Sequence, residues 1–320
     1  MHSLALAILL SLHSPLFAAS PEYKVVGPLT QHFQDWLKSN GYTEDFVRAD
    51  HKVTQGSYGG KTSDAQNVTR TPVIMIHGNS DAALRQTFGF NSFAGWENTI
   101  DYFLQQGYTS AELYATSWGD TNQMKAEMRR HDCKTVQFLR RFMEAVKAYT
   151  GSEKVHIIAH SMGVTLGRKI TLGGKIQATD GNCDIGVPYR YVDVFVGISG
   201  ANYGLCNCAG MVGDFEPTCS KDDGFWPGDS CGMNKNDCGA SKLPYPCNGP
   251  DKYSKFLSDL NADMSQLAQR VFSAWSNADD LIMHHTNTWG KSTCLMPRST
   301  DTKSKEKTYE DQYKWVNRLD

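Results

Sequence analysis

Neither sign of charge dominates this chain. Its 32 Lys and Arg stand against 34 Asp and Glu, for a formal net charge of -2, with an isoelectric point near 6.5. A nucleic-acid partner requires a basic patch or stripe, and the sequence has none, so that class of function is set aside. Membrane-spanning runs are also missing. The apolar stretch from Leu4 to Leu12 is too short to cross a bilayer, and no later segment is apolar enough. Without a cluster of Lys or Arg there is no polybasic membrane anchor, which leaves transient contact with a lipid surface as the only membrane relation. Internal repeats and low-complexity tracts are absent, which excludes solenoids and disordered linkers.

Cysteine is plentiful, but metal-ligand spacing is not. Six of the nine cysteines, Cys206, Cys208, Cys219, Cys231, Cys238 and Cys247, crowd a stretch rich in Gly, Pro, Asn and Asp. No repeated Cys-x-x-Cys occurs and no His lies inside, so disulfides fit better than zinc, and no metal or other cofactor is expected. A segment with so little apolar content needs such staples. Cys133, Cys183 and Cys294 lie outside the cluster, and the odd total leaves at least one sulfur without an intramolecular partner. The Leu4 to Leu12 core, followed by Pro15 and the small residues Ala18, Ala19 and Ser20, reads as a signal peptide over residues 1–20. A secreted, extracellular, disulfide-bonded protein is therefore expected. Asn67-Val68-Thr69, in a polar loop, is the glycosylation sequon.

From residue 21 to 320, apolar strands and amphipathic helices alternate, which predicts one α/β domain: a mostly parallel sheet with helices on both faces, interrupted by the cysteine-rich insertion at about 204–250. Helices are predicted over Gln31–Asn40, Trp96–Gln106, Lys125–Tyr149 and Tyr253–Gln269, and strands over Pro72–Ile76, Glu112–Trp118, Tyr191–Ile198 and Val271–Trp275. The stripe Val136, Leu139, Phe142, Met143, Val146, Tyr149 keeps helical spacing.

The chemistry is concentrated around one serine. Val155-His156-Ile157-Ile158-Ala159-His160-Ser161-Met162-Gly163-Val164 is an apolar strand that breaks into small residues and resumes as a helix. A nucleophilic serine has to project from a very tight turn, and Ala159 and Gly163, two positions either side of Ser161, give the backbone room for it. This is the Gly-x-Ser-x-Gly elbow with Ala in the first small position. His77-Gly78-Asn79 follows the strand ending at Ile76. An α/β-hydrolase draws one oxyanion N–H from that loop and the other from the residue after the nucleophile, here Asn79 and Met162. A plain turn explains His-Gly-Asn equally well when it is taken alone. Asp279, after the late strand ending near Trp275, fits the triad acid in the order Ser, Asp, His; Asp280 competes, and either could simply cap a turn.

With these motifs the sequence resembles the class 2 lipases, a family of secreted α/β-hydrolases. The resemblance runs through Gly27-Pro28, Trp36-Leu37-Lys38-Ser39-Asn40-Gly41-Tyr42, Gly56-Ser57-Tyr58-Gly59-Gly60-Lys61, the two motifs above, Gly200-Ala201-Asn202 and Trp275-Ser276-Asn277-Ala278-Asp279. It implies a triacylglycerol lipase or carboxylesterase, with Ser161 as nucleophile, Asp279 as acid, Asn79 and Met162 as the oxyanion hole, and a lipid or small ester as substrate. The resemblance also implies a histidine between the last strand and the final helix. Here Glu306–Glu310 reads as that strand and Asp311–Val316 as that helix, with no His between them. His284 and His285 follow Asp279 too closely to bridge readily to Ser161, so the general base is unassigned and the segment that carries it is expected to be lost. The alternative is a catalytically impaired hydrolase fold that binds lipid or partners.

Overall fold

The computed structural model describes residues 24–52, 54–88, 91–228, 237–240, 242 and 253–305. The signal-peptide reading, Cys231, Cys247 and the predicted elements over 306–316 lie outside them. The central sheet has seven strands: β1 Ser57–Tyr58, β2 Val73–Ile76, β3 Leu113–Thr116, β4 Val155–His160, β5 Val192–Ile198, β6 Arg270–Ser276 and β7 Asp301–Lys305. Their order across the sheet is β1-β3-β2-β4-β5-β6-β7. Only the β1–β3 pair is antiparallel.

Alternate residues of the strands feed two cores. Ile74, Ile76, Ile157 and Ala159 face the larger one, shared with α1 Gln31–Ser39, α3 Cys133–Thr150, α4 Met162–Leu172 and α5 Lys255–Ala262. Val73, Met75, Leu113, Ala115 and Ile158 face the other, covered by α2 Glu97–Gln105 through Trp96 and Ile100. Strands buried on both sides carry unbroken apolar runs rather than alternation, as β2 and β4 do.

Two predicted boundaries move, each for a local reason. The helix predicted from Lys125 begins at Cys133. Residues Gln123–Met128 form a 3₁₀ segment, and the chain then extends so that His131 N–H can reach the Asp223 carbonyl at 2.9 Å. Asp132 then caps α3 by accepting from Thr135 N–H, while both carboxylate oxygens of Asp180 take the Cys133 and Lys134 N–H groups. The helix predicted to Gln269 stops at Ala262, because Asp263 leaves helical geometry and its side chain takes the Ser265 N–H in a local turn. The strand beside β6 lies at Asp301–Lys305, immediately ahead of the predicted segment, and its residues 301–304 are exposed. An edge strand of this polarity carries no apolar signal.

Two antiparallel hairpins, Leu84–Phe88 with Asn91–Gly95 and Lys175–Ala178 with Gly181–Asp184, were not predicted. The second brings Cys183 back to Cys133, and the two form a disulfide. Cys206–Cys238 and Cys208–Cys219 staple the insertion, and Cys294 is free and buried. No helix among the described residues is long and apolar enough to cross a membrane.

Candidate active site

β4 ends against β5, with His160 opposite Ile198, and Ser161 then turns the chain into α4. At φ 52 and ψ -127 Ser161 occupies a region that costs a residue with a Cβ about 1–3 kcal/mol. The turn is held from both sides: Ser161 N–H donates to the Ile198 carbonyl at 2.8 Å, and its own carbonyl accepts from Val164 N–H at 3.0 Å. Gly163 explains why the second small residue is needed. A Cβ there would run into the carbonyl oxygens of Ile76 and His77, so α4 could not start this close to β2. Every residue of α4 is buried, whereas Ser161 itself is partly exposed.

β2 lies beside β4 with Ile76 opposite Ala159, so the loop after β2 adjoins the serine turn. His77 fixes this loop. Its ring stacks flat on Trp118, with centroids 5.1 Å apart, and Nε2 accepts from Trp118 N–H at 2.9 Å. Nδ1–H therefore donates to the Gly78 carbonyl at 2.8 Å, and Trp118 Nε1–H donates to the His77 carbonyl at 3.0 Å. Full burial drives the pKa of His77 down to about 3, so it is a neutral structural imidazole. His160, buried beside it, is depressed to about 3 for the same reason. Asn79 is anchored by its side chain: Nδ2 donates to the Ala126 carbonyl and Oδ1 accepts from Ser80, both at 2.9 Å. Among the described residues neither Asn79 N–H nor Met162 N–H has a backbone acceptor, which leaves two donors beside the serine.

The predicted acid stands two strands away, beyond the end of β6. Its separation from Ser161 across the sheet is on the order of 10 Å. Asp279 is buried, while Asp280 is exposed. Asp279 Oδ1 accepts from Leu281 N–H at 3.0 Å and Ile282 N–H at 2.7 Å, closing its own turn. Sequence reasoning missed what surrounds this turn. The Cys294 thiol is raised well above its ordinary pKa, first by burial and then by the nearby Asp279 carboxylate. The backbone at Thr293 and Cys294 is held by Asn202, whose N–H donates to the Thr293 carbonyl at 2.8 Å. Asn202 Oδ1 in turn accepts from the buried Arg168 guanidinium at 2.9 Å. Gly200-Ala201-Asn202 in the family pattern was the available signal for that junction.

The histidines are distributed elsewhere. His32 meets Tyr149 and Asp64, His51 meets Asp50 and Thr121, and His156 faces Asp193. His131 is buried between Thr165 and the Asp223 carbonyl. The exposed His284 ring packs against Gly239 in the insertion. The side chain of His285 is outside what the structure describes. Among the described residues no group of three or more His, Cys, Asp or Glu side chains converges on a metal position.

A mostly parallel sheet sandwiched by helices, with a strained serine between strand and helix and an acid after a later strand, defines an α/β-hydrolase. The chain belongs to the class 2 lipase family, whose model matches residues 70–317, which makes it a hydrolase of the lipase and esterase type. It is similar in structure to a mature Bacillus licheniformis lipase at 13% identity and a TM-score of 0.45, over 81% of this chain and 92% of that one. It is similar also to a monoacylglycerol lipase of Paleococcus ferrophilus at 14% identity and a TM-score of 0.37, over 80% and 88% of the two chains.

Proposed function

We propose that this chain is a secreted carboxyl-ester hydrolase that cleaves lipid or small esters through an acyl-enzyme on Ser161. The observation that carries the reading is the φ 52 turn at Ser161, with the Asn79 and Met162 N–H groups beside it. Serine Oγ attacks the ester carbonyl while the two N–H groups receive the developing oxyanion, each worth about 3–4 kcal/mol in such sites. A base takes the serine proton and returns it to the leaving alcohol; water then repeats the sequence and frees the acid. Asp279 orients that base. The three disulfides among the described residues are compatible with an oxidising compartment, and exposed Asn67 is available for glycosylation there.

A second reading has its own observation. His32, His51, His77, His131 and His156 make their hydrogen bonds or ion pairs away from Ser161, His284 lies against Gly239, and no histidine follows His285 in the sequence. A hydrolase fold that binds lipid without turning it over accounts for that. Fluorophosphonate labelling together with p-nitrophenyl ester hydrolysis separates the two. Labelling and turnover lost in Ser161→Ala are expected; a folded protein that neither labels nor turns over would overturn the enzyme. Ala substitutions at His284 and His285 identify the base, which should cost several orders of magnitude when removed.

A further inference from the structure

A cleft lies at the end of the sheet opposite Ser161. Its volume is about 390 Å³, at the small end of ligand sites, and its walls are residues 68–71 ahead of β2, 152–154 ahead of β4, and Asp193 in β5. These are the N-terminal ends of three adjacent strands, so the length of β4, roughly 20 Å, separates the cleft from the serine.

The walls narrow the chemistry of an occupant. Arg70 and Lys154 offset Glu153 and Asp193, which leaves no net formal charge, and Val68 is the one apolar side chain among the lining residues. A lipid tail finds too little apolar wall, and a small anion meets two carboxylates beside the two cations. Arg70 is fixed across the Tyr108 ring at 4.8 Å, and Asp193 is shared with Arg270 at 3.5 Å. The side chains of Thr71, Ser152 and Lys154 have no partner among the described residues, so their hydrogen-bonding capacity is open to a ligand. A neutral ligand rich in hydroxyl and amide groups, such as a sugar bearing N-acetyl groups, matches walls that offer both donors and acceptors.

Such a sugar has a point of attachment at the rim. Asn67 of the sequon is exposed and immediately precedes Val68. The chain just after it is held by one buried carboxylate. Glu112 Oε1 accepts from Thr69 N–H at 2.7 Å, Thr69 Oγ1–H at 2.9 Å and Arg70 N–H at 3.1 Å, while Oε2 accepts from Thr109 N–H at 2.9 Å. Charge-assisted bonds of this kind are the strong ones, and they fix where a sugar on Asn67 starts, one residue's span of about 3.8 Å from the cleft wall. A tether that short gives an effective concentration on the order of millimolar, so weak contacts suffice to seat the sugar.

We propose that this cleft is the seat of an N-glycan on Asn67, whose first two N-acetylglucosamine residues pack between residues 68–71 and 152–154 and tie the starts of β2 and β4 together. The proposal rests on the secreted reading, which supplies the glycan, and is independent of turnover at Ser161. The full chain is produced in a secreting eukaryotic cell line, and its intact mass should show a glycan that Asn67→Gln removes. Peptide N-glycosidase F should release that glycan slowly from the native protein. Ser152→Ala with Lys154→Ala should speed the release by on the order of tenfold, the value of one or two lost hydrogen bonds, while denatured chains are cleaved at equal rates. Deglycosylation should lower the melting temperature of the parent by roughly 2 °C and that of the double variant by less. Equal native release rates, or melting shifts independent of the cleft residues, would overturn the seat. So would stabilisation of the Asn67→Gln chain by inorganic phosphate that Lys154→Ala abolishes, since the cleft would then be an anion site. An intact mass without a glycan overturns the secreted reading and the seat with it, so the two failures are distinguished.

Discussion

The two halves of the candidate site are built from different materials. The serine half is made of backbone: Ser161, Met162 and Asn79 follow adjacent parallel strands whose register is fixed, and its histidines, His77 and His160, are buried and neutral. The acid half is made of turns. Asp279 closes its own loop, His284 leans on the insertion, and the neighbouring edge strand is polar and exposed. A sheet interior specifies atomic positions through packing, so the serine half can be held under strain of about 1–3 kcal/mol. Loop positions depend on whatever packs over them, and that half is where the base is unassigned.

The largest expected contrast between the halves is in acid. Burial lowers the pKa values of His77 and His160 to about 3, and that of His131, which links α3, α4 and the insertion, to about 4. A histidine whose folded pKa lies below its unfolded value of about 6.5 takes up its proton first in the unfolded chain. Stability is then full above about pH 6.5 and falls as the pH drops toward the folded pKa, by about 1.4 kcal/mol per unit for each histidine. Glu112 and Asp223 are held below their usual ranges by backbone N–H groups that outweigh burial, so their contribution is lost only at lower pH, below about 4.5. Urea midpoints should therefore fall steeply between pH 6.5 and 4.5. A flat profile there would mean that the serine half is not the rigid, dry element described.

How much of each half could be read from the sequence follows the same division. β4 and its elbow were legible because a doubly buried strand must be apolar and a serine at positive φ needs small neighbours; Gly163 is required by two carbonyl oxygens. The apolar stripe of α3 was legible, but its start was not, because Asp223, far along the chain, holds His131 in extended backbone. The Cys133–Cys183 pairing depends on the hairpin that turns at Thr179-Asp180, whose Asp180-Gly181 step was a usable signal. β7 was not predicted, because Asp301-Thr302-Lys303-Ser304-Lys305 obeys the rules of an edge rather than of a core. Asp279 was chosen over Asp280 from the sequence, and the difference in burial between the two, which sequence does not display, agrees with that choice.

The next contrast is in tolerance to one methyl group. Gly163→Ala places a Cβ inside the contact distance of the Ile76 and His77 carbonyls, so α4 must withdraw from β2. Overpacking of this kind costs about 1–3 kcal/mol and should shift the oxyanion donors as well. Thermal unfolding and fluorophosphonate labelling should fall together. In the other half Gly239→Ala meets the ring and Cβ of the exposed His284 rather than buried backbone carbonyls, and should lower the melting temperature less.

The smallest effect is the most discriminating. Asp279→Ala removes an acceptor of two turn N–H groups and should cost about 1 kcal/mol, the value of a lost cap. Asp279→Asn keeps an oxygen in that position and should restore most of the stability. The two variants therefore separate the structural role of the residue from its role toward a base. If a histidine sits between Asp279 and Ser161, the Asn variant is as stable as the parent yet loses turnover by about 10⁴, because the imidazole is no longer held in the tautomer that accepts the serine proton. If no base is present, the Asn variant hydrolyses p-nitrophenyl ester at the parent's residual rate, since only the serine half is working. Added imidazole then raises turnover in the parent but not in Ser161→Ala, because a diffusing base can serve the proposed Ser161 nucleophile and its proposed oxyanion hole.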